Sequence, residues 1–468
     1  MNPPKSRDYI YLPRQADLTR IADAVSAMNC LSVVGVSNVG KSATMRALCE
    51  PEVQAQHLKR DGVAPEDYLF VYIDFNQMLV MSDQAFYELV LRSCIEAIRD
   101  QDANGEVLQR LEQAYTTLIA PGSAFEIPLS FAQAMAAIGD QLGQKVVFLL
   151  DEVDGPVEGI DGRVFLNLRA LADRHRNGLM YITATNRRID QIRNDADVAE
   201  FAEIFGRNTV YLSMLDEDEV RQLASRYAGE EGITFSDDDY KFIHLWTGGH
   251  PALLGMTFRI LGLLTGRPVR DASQDSIIHR RAVEILVQDL NVLGECRKIW
   301  NDLDENEQAA LLAVAEGADN IPRGGLDLLI AKHLVVFQGG ERKIFSRSFA
   351  EYVARQQTTR HSAGQTFRVD PERGEVWVRG ALIPALTNLE YRLMLLMYGR
   401  IGKIVTKYDV VEAVWGEDYI DEVDDARIEK LISRLRQKIE PDPGAPRYLQ
   451  TVRGRGYKLA EAERGASE

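Results

Sequence analysis

The sequence predicts an α/β domain with a mostly parallel sheet, followed by a helical region and two winged-helix domains. Up to about residue 212, apolar runs of strand type alternate with stretches of helical apolar spacing, a pattern typical of βα units. Helical spacing alone continues to about residue 290. The segments 296–355 and 367–461 each combine helices with a short hairpin. Together these three observations give the predicted order of domains.

Length and composition are consistent with several globular domains. At the usual size of about 100–200 residues per domain, the 468 residues correspond to three or four domains. Hydrophobic residues make up 46% of the chain and charged residues 26%, which excludes a disordered or fibrous protein. The formal net charge of −16 argues against a surface that is basic throughout.

The sequence suggests a cytoplasmic protein without a membrane partner. No apolar run reaches the roughly 18–20 residues that span a bilayer, and the N-terminal segment has no apolar stretch of signal-peptide type. The four cysteines, which form no CxxC pair, suggest neither a disulfide framework nor a zinc site, so we expect free thiols.

Five regions follow from the patterning. The strand-type runs LSVVGVS, YLFVYIDF, KVVFLL and LMYITATN belong to the α/β domain. A polar stretch, QQTTRHSAGQT, predicts a linker. In the first winged helix, Gly339 and Gly340 form the predicted turn of the hairpin. The predicted bounds are 9–212 for the α/β domain, 213–295 for a helical lid, 296–355 for the first winged helix, 356–366 for the linker and 367–461 for the C-terminal domain.

A phosphate-binding loop is predicted between the first strand and the helix after it. Residues 35–42, GVSNVGKS, fit the pattern GxxxxGK[ST] in that setting. Such a loop curls backbone N–H groups around a phosphate. Lys41 would add its charge at the β- and γ-phosphates, and the Ser42 hydroxyl is the candidate magnesium ligand. A chance match in a glycine-rich turn is the alternative. The other candidate nucleotide-binding residues of this segment are Gly35, Asn38, Val39, Gly40 and Ala43.

Two later strands end in polar residues that parallel pairing would bring to the same edge. The run KVVFLLDEVD places Asp151 as a candidate magnesium ligand and Glu152 as the candidate base for an attacking water. The run LMYITATN ends in Thr185 and Asn186, and Asn186 is a candidate to orient that water. Capping of a solvent-facing turn, or simple strand termination, is the alternative.

In order, these motifs resemble STAND-type or archaeal-type AAA+ ATPases over about residues 9–355. The resemblance implies ATP or ADP with Mg²⁺ as cofactors. It also places the segment Gly248–Pro251 over the nucleotide, with Pro251 packing on adenine and His250 near a phosphate. A helix stop at Gly-Gly followed by a helix start at Pro is the alternative, and both can hold together. Residues 11–14 are implicated loosely on the adenine side.

An arginine acting in trans would stabilise the charge that develops during phosphoryl transfer. The sequence does not distinguish among its candidates, and for each of them a surface or ion-paired residue is the favoured interpretation. These candidates are Arg169, Arg187, Arg188 and Arg207.

A basic surface is predicted near the C-terminus. Residues 427–458 hold nine basic and three acidic residues. Apolar spacing predicts a helix over 427–439 that is buried on one side and carries cations on the other, a form suited to the major groove. A solvated basic face is the alternative. The cations of this helix are Arg427, Lys430, Arg434 and Lys438.

The C-terminal region resembles the OmpR/PhoB-type winged helix-turn-helix in four separated motifs, ALTNLEYRLMLL, VWG, ISRLR and LQTVRGRGYKL. The resemblance makes 427–439 the recognition helix and TVRGRGY the wing, with Arg453 in the minor groove and Thr451 and Arg455 near the DNA backbone. No receiver pattern precedes it, so phosphorelay control is not carried over. Leu386, Leu393, Leu396, Trp415, Leu435 and Tyr457 are predicted core residues.

These expectations predict an ATP-dependent switch that regulates transcription by binding double-stranded DNA, through nucleotide-dependent assembly into a homo-oligomer. Two alternatives stay open. One is a STAND-class anti-phage or conflict ATPase, and the other is a DNA-remodelling AAA+ ATPase of the initiator or transposition type. The first winged helix is expected to pack on the nucleotide domain rather than to bind DNA.

Overall fold

The structure is a computed structural model that forms two compact units, residues 1–353 and 354–468. It describes residues 13–58, 64–99, 105–206, 208–265, 272–318, 320–363, 367–370, 374–379, 381–416 and 424–460. Among these residues, no helix is both long and apolar enough to cross a membrane. All four cysteines lie within these residues, and none of them forms a disulfide.

A five-stranded parallel sheet organises the first unit, in the order β2-β3-β4-β1-β5. The four predicted strands are confirmed, and the three-residue β5 is an addition that the sequence pattern did not reveal. The strands are β1 (Leu31–Val34), β2 (Tyr68–Asp74), β3 (Lys145–Asp151), β4 (Leu179–Thr185) and β5 (Thr209–Tyr211).

Helices cover both faces of this sheet, so its strands are almost wholly buried, as parallel strands usually are. The helices that precede or connect the strands are α1 (Gln15–Ser26), α2 (Lys41–Ala47), α3 (Pro51–His57), α4 (Asp83–Arg99), α5 (Gly105–Ile119), α6 (Glu126–Gln141), α7 (Asp154–Gly159), α8 (Gly162–Arg174), α9 (Ile189–Ile192) and α10 (Ala196–Ala202).

The helical lid and the first winged helix follow in the same unit. Ser236 caps α12, as its position before three aspartates predicts. The predicted hairpin is confirmed as β6 and β7, with Gly339 and Gly340 at its turn. The elements are α11 (Glu217–Glu231), α12 (Asp237–Thr247), α13 (Pro251–Thr265), α14 (Ala272–Leu286), α15 (Leu290–Asn301), α16 (Glu305–Ala315), α17 (Arg323–Ala331), β6 (Val335–Gln338), β7 (Glu341–Ile344) and α18 (Arg347–Ala363).

Two predicted boundaries differ from the observed elements. The division at 295/296 falls inside α15, whose N-cap is Asp289. The linker predicted at 356–366 is wrong for residues 356–363, because α18 continues to Ala363; residues 364–366 lie outside the described part. Polar composition alone misled here, since a helix needs only one apolar face, and the turns of α18 near Phe349 and Val353 supply it.

Two hydrophobic cores lie on opposite faces of the parallel sheet. Alternate residues of β3 separate them, with Val147 and Leu149 in one core and Phe148 and Leu150 in the other. The core that contains Val147 extends without interruption through α11–α13 to α15–α18. The sheet, the lid and the first winged helix are therefore packed through shared apolar contacts.

In its described residues, the second unit consists of the end of α18, two small antiparallel sheets and three further helices. Its first sheet, in the order β10-β9-β8, was not predicted, and the second, β11-β13-β12, contains the predicted wing. The elements are β8 (Phe367–Asp370), β9 (Glu375–Val378), β10 (Ala381–Leu382), α19 (Asn388–Gly399), β11 (Ile404–Val405), α20 (Lys407–Trp415), α21 (Asp425–Ile439), β12 (Leu449–Val452) and β13 (Gly456–Leu459). All six predicted core residues pack in or against its core.

Candidate functional site

The carboxyl edge of the parallel sheet gathers the predicted nucleotide-site residues. Val34 of β1 is aligned with Thr185 of β4, and Asp151 of β3 with Ala184. The loop that begins at Gly35 therefore lies beside the ends of β4 and β3. In open α/β sheets, this edge is where ligands bind.

Lys41 connects the loop to the end of β4. It is the first residue of α2 and only 3% exposed. Its Nζ donates to the carbonyls of Gly35 and Val36, at 2.9 and 3.3 Å, and to Asn186 Oδ1 at 2.6 Å. Burial lowers the pKa of Lys41, while surrounding carboxylates oppose that shift. Lys41 and Asn186, two predicted site residues 145 positions apart, are thus in direct contact.

Asp151 is buried at the end of β3 and held by a residue that sequence reasoning did not identify. The Tyr72 hydroxyl donates to Asp151 Oδ2 at 2.6 Å. Asp151 Oδ1 is buried and has no hydrogen-bond partner among the described residues. Such a carboxylate oxygen is suited to a magnesium ion or to one of its waters.

A magnesium ion at this edge would depend on phosphate and water for most of its ligands. The described residues contain no group of three His, Cys, Asp or Glu side chains able to hold a metal. Mg²⁺ commonly binds through one or two side chains together with substrate phosphates, so Asp151 and the half-buried Ser42 fit that requirement.

Glu152 and Asp154 place further carboxyl groups near Lys41. Glu152 has a φ of 57°, a left-handed conformation that is uncommon for glutamate and is found at functional sites. Burial raises the pKa of Glu152, while the charge of Lys41 opposes that rise. Burial also raises the pKa of Asp154 to about 6, and its Oδ1 accepts from the Asn186 backbone N–H at 2.9 Å. Asp154 therefore positions Asn186.

Arg14 fastens the loop to the lid. It belongs to the segment 11–14 that is implicated on the adenine side. Its guanidinium donates to the carbonyls of Val39 and Ser213, the latter at 2.6 Å, and its backbone N–H donates to Glu219 of α11. Tyr11 and Leu12 lie outside the described residues. Arg14 is 6% exposed, so its role in this arrangement is to hold the loop.

His250 contacts the loop itself. Its Nε2 lies 3.0 Å from the Ser37 carbonyl oxygen, and a carbonyl accepts only, so Nε2 donates. Burial lowers the pKa of His250 to about 4. The imidazole is fully buried and neutral, and its Nε2–H is engaged by the Ser37 carbonyl. Contact between His250 and a nucleotide phosphate stays a prediction. Pro251 is the half-buried first residue of α13, as the helix-start interpretation predicts.

The glycines before His250 permit close packing of three segments. Gly248 and Gly249 have φ values of 57° and 79°. A Cβ on Gly248 would lie 2.3 Å from the Phe345 carbonyl oxygen, and one on Gly249 would lie 1.9 Å from that of Leu215. Only glycine allows these approaches. The lid, the first winged helix and the segment after β5 therefore meet beside the loop.

Two carboxylates at α15 and its C-terminus contact the same loop. Asp302 Oδ2 accepts from the Ser37 backbone N–H at 2.5 Å. Both carboxylate oxygens of Glu295 accept from Asn38 Nδ2, at 2.9 and 3.0 Å. These contacts join residues more than 250 positions apart, so no local sequence signal could have revealed them.

The candidate trans-acting arginines are paired within the chain. Arg169 contacts Glu200 and Glu203. Arg187 pairs with Glu158 at 3.3 Å, and Arg188 with Asp190 at 2.8 Å. Arg207 lies outside the described residues. The three described candidates thus have the ion-paired character that was the alternative to a trans-acting role.

The predicted recognition helix is observed as α21, with five apolar side chains buried on one face. Arg427, Lys430 and Arg434 are exposed on the other side, and none of the three forms an ion pair with another described residue. Asp424 caps the helix by accepting from the Arg427 N–H at 2.9 Å. The exposed cations form one surface that a polyanion can reach.

Lys438 differs from the other cations of the stripe. Its Nζ donates to Glu390 Oε2 at 2.8 Å and to the Ala385 carbonyl at 2.7 Å. Burial would raise the pKa of Glu390, yet that pKa is lowered because Lys438 and Thr387 hydrogen-bond its carboxylate. Lys438 therefore fastens α21 to the start of α19, and its contact with DNA stays a prediction.

The wing is the β12–β13 hairpin, with Thr451, Arg453 and Arg455 exposed. Arg436, which sequence reasoning did not single out, donates to the Leu449 carbonyl and to Thr451 Oγ1, both at 2.8 Å. A Cβ on Gly456, whose φ is 128°, would lie 2.1 Å from the Val405 carbonyl oxygen. Glycine is thus required where the hairpin passes β11, and Arg436 orients the wing against α21.

Comparison with known proteins assigns the C-terminal region. Residues 384–459 match the family model described as transcriptional regulatory protein, C terminal. An uncharacterized transcriptional regulatory protein of Bacillus subtilis, YcbL, is 42% identical over 76 residues, which are 16% of this chain and 33% of that protein. Sensory transduction protein RegX3 of Mycobacterium tuberculosis is 40% identical over 92 residues, 20% of this chain and 39% of its own. The match spans well under half the length of these relatives.

Among solved structures, a Walker-type ATPase of Pyrococcus abyssi is 14% identical, with a TM-score of 0.47, and covers 74% of this chain and 96% of its own. The Klebsiella pneumoniae RstA DNA-binding domain in complex with the RstA box is 25% identical, with a TM-score of 0.19, and covers 20% and 91%. The strand order of the first unit and the family match of the second lead to one conclusion: the chain joins an α/β unit of P-loop NTPase-like fold to a C-terminal OmpR/PhoB-type domain of the transcriptional regulatory family.

Proposed function

We propose that this chain is an ATP-binding, slowly hydrolysing switch of the STAND type that regulates transcription through its C-terminal winged helix. The observation that carries the proposal is that the lid and the first winged helix both hold the predicted phosphate loop, through His250 and Asp302. A ligand bound at this loop acts on both parts, because they touch the residues that would bind it.

The nucleotide assignment is supported by the contact between Lys41 and Asn186 and by the buried Asp151 beside them. Mg²⁺, held by Asp151 and Ser42, would neutralise phosphate charge. Glu152 would accept a proton from the attacking water, and Asn186 would orient that water. Bound nucleotide would also engage the backbone of Gly35, Asn38, Val39, Gly40 and Ala43, with Pro251 against the adenine.

The DNA assignment is supported by the exposed cations of α21 and of the wing. Arginine can donate two hydrogen bonds to guanine in the major groove, and lysine neutralises phosphates. Arg427 and Arg434 are proposed to read bases, Lys430 to contact phosphate and Arg453 to enter the minor groove. Arg455 and the Thr451 hydroxyl would contact the DNA backbone.

Assembly would link the two activities. One winged helix binds DNA modestly, whereas several held in one homo-oligomer gain effective concentration without any new base contact. Nucleotide-driven self-association would therefore increase occupancy of repeated DNA sites. This mechanism needs no receiver domain.

The proposal is tested by measuring particle mass in solution with ADP and with a nonhydrolysable ATP analogue, each with and without fragmented genomic DNA. Fragments that remain bound are sequenced. The proposal expects the analogue to increase the mass and the retained fragments to share a sequence. Retention of random fragments along continuous filaments would instead favour a DNA-remodelling ATPase, and no response to either nucleotide would refute the switch.

A further inference from the structure

Ser37 lies in the phosphate loop, and both its backbone carbonyl and its backbone N–H are hydrogen-bonded to distant residues. Its carbonyl accepts from His250 of the lid, at 3.0 Å, and its N–H donates to Asp302 beyond α15, at 2.5 Å. The next residue, Asn38, is held by both oxygens of Glu295. The Asp302 carboxylate thus accepts a hydrogen bond from a backbone N–H group of the loop. Backbone N–H groups of this kind bind phosphate in such loops.

The two carboxylates are part of a firmly built contact. Glu295 is 2% exposed, and Lys298 lies 3.3 Å from it on the same helix. The other side of α15 is buried in the shared core through Val292, Cys296 and Ile299. These apolar contacts position α15 so that both carboxylates face the loop.

Phosphate would compete with these carboxylates for the same loop. A triphosphate carries several negative charges, and its approach to the loop would bring them close to Asp302 and to the buried Glu295, which repel them. The surroundings already hold Asp151, Glu152 and Asp154 near Lys41. Phosphate binding therefore favours an arrangement in which the α15 carboxylates have left the loop.

We propose that Asp302 and Glu295 compete with the nucleotide phosphates for the loop. The two carboxylates form an acidic latch that keeps α15 on the loop and is released when a nucleotide binds. The inference rests on the proposed nucleotide site and adds its regulation. Because the competition is reciprocal, whatever displaces α15 from the loop increases nucleotide affinity by the same factor.

The test measures binding of a fluorescent nonhydrolysable ATP analogue to the full chain and to the double variant Asp302→Asn, Glu295→Gln. We expect the double variant to bind at least about 5-fold more tightly, within the usual range of coupling between sites. Glu316→Gln is the matched control, since it removes one exposed charge from the same winged helix. The gain should persist at 0.5 M salt, roughly where a general surface-charge effect would be screened.

A second measurement follows α15 directly. Trp300 lies two positions before Asp302, is 8% exposed, and packs against Tyr352 with ring centroids 6.5 Å apart. The analogue should change Trp300 fluorescence in the wild type and change it less in the double variant; Trp300→Phe identifies the signal.

The latch is overturned if a folded double variant binds the analogue with unchanged or weaker affinity than the wild type, while the wild type binds normally. In that case the proposed nucleotide switch itself still stands. If the wild type and the double variant both fail to bind, the nucleotide site is refuted and the latch with it.

Discussion

Ser37 is a single loop residue whose backbone contacts two other parts of the first unit. Its peptide groups contact the lid on one side and the segment after α15 on the other. No motif marks either contact, because Ser37 occupies a variable position of GxxxxGK[ST]. The motif predicted the residues that would bind phosphate, whereas the residues that restrain the loop are identified only from the structure.

At the residue scale, Glu152 is the most direct test of hydrolysis. Glu152→Gln removes the proton acceptor but keeps the size of the side chain. We expect kcat for ATP hydrolysis to fall about 100-fold or more, the usual contribution of a positioned base, while nucleotide affinity changes little. Phosphate release at saturating ATP measures it, with Glu316→Gln as the control. Unchanged phosphate release in Glu152→Gln would show that the base is a different group.

His250 predicts a dependence of stability on pH. Its pKa is lowered to about 4 by burial, from an ordinary value of 6.5. Between these values the unfolded chain binds a proton at this position and the folded chain does not, so the free energy of unfolding falls as pH drops from 6.5 towards 4. This loss reaches at most about 3 kcal/mol.

His250→Gln removes that titration. Urea unfolding at pH 7 and at pH 5 should show a larger loss of stability on acidification in the wild type than in the variant. Other titrating groups, including Asp154, are present in both proteins and cancel in the comparison. Equal losses in the two proteins would contradict a buried, neutral His250.

At the element scale, the cations of α21 are expected to differ in function, with Arg434 reading a base and Lys430 contacting phosphate. We expect Arg434→Ala to weaken binding to the selected DNA site by about 1–3 kcal/mol and to relax specificity at one base pair. Lys430→Ala should weaken binding to all sequences alike and reduce the salt dependence by about one phosphate contact. Binding assays at several salt concentrations, with matched and mutated sites, distinguish the two. Identical behaviour of both variants would count against major-groove reading by Arg434.

Lys438 provides the contrasting case on the same helix. Because it holds the nearly buried Glu390, Lys438→Met should destabilise the C-terminal unit and leave the slope of log affinity against log salt unchanged. Calorimetric unfolding and the same salt titration check both statements. A reduced slope with unaltered stability would return Lys438 to the DNA-binding surface.

Strands and helices with strong periodicity could be predicted from the sequence, whereas short or composite elements could not. The runs of β1–β4 are mostly apolar over four to seven residues and were predicted correctly. The three residues of β5 and the two of β10 are too short to show any alternation. α18 was missed over 356–363 because its polar C-terminal half has the composition of a linker.

In the candidate site, too, residues with a local sequence signal were predictable and their long-range partners were not. The phosphate loop, Asp151 and Asn186 carry local signals, and parallel pairing brings them together. Tyr72, Arg14, Glu295 and Asp302 act through long-range contacts with these residues. Such partners are set by tertiary packing, which leaves no periodic or motif signal in one sequence.

At the scale of the whole molecule, one continuous core joins the parallel sheet to the lid and the first winged helix. Interiors packed at high density change between discrete arrangements rather than deforming gradually. A nucleotide that alters the contacts of Ser37 can therefore shift the lid and α15 together. The acidic body of the chain and the local basic surface of α21 favour DNA contact at one place.

In the proposed switch, occupation of the phosphate loop governs DNA binding by the C-terminal domain. The most direct test is the Kd for the selected DNA site at constant salt, without nucleotide, with ADP and with a nonhydrolysable ATP analogue, for the wild type and Lys41→Ala. We expect Kd to differ between nucleotide states by about 5- to 150-fold in the wild type and to be independent of nucleotide in Lys41→Ala. A wild type that binds nucleotide yet shows one Kd in all three states would contradict it.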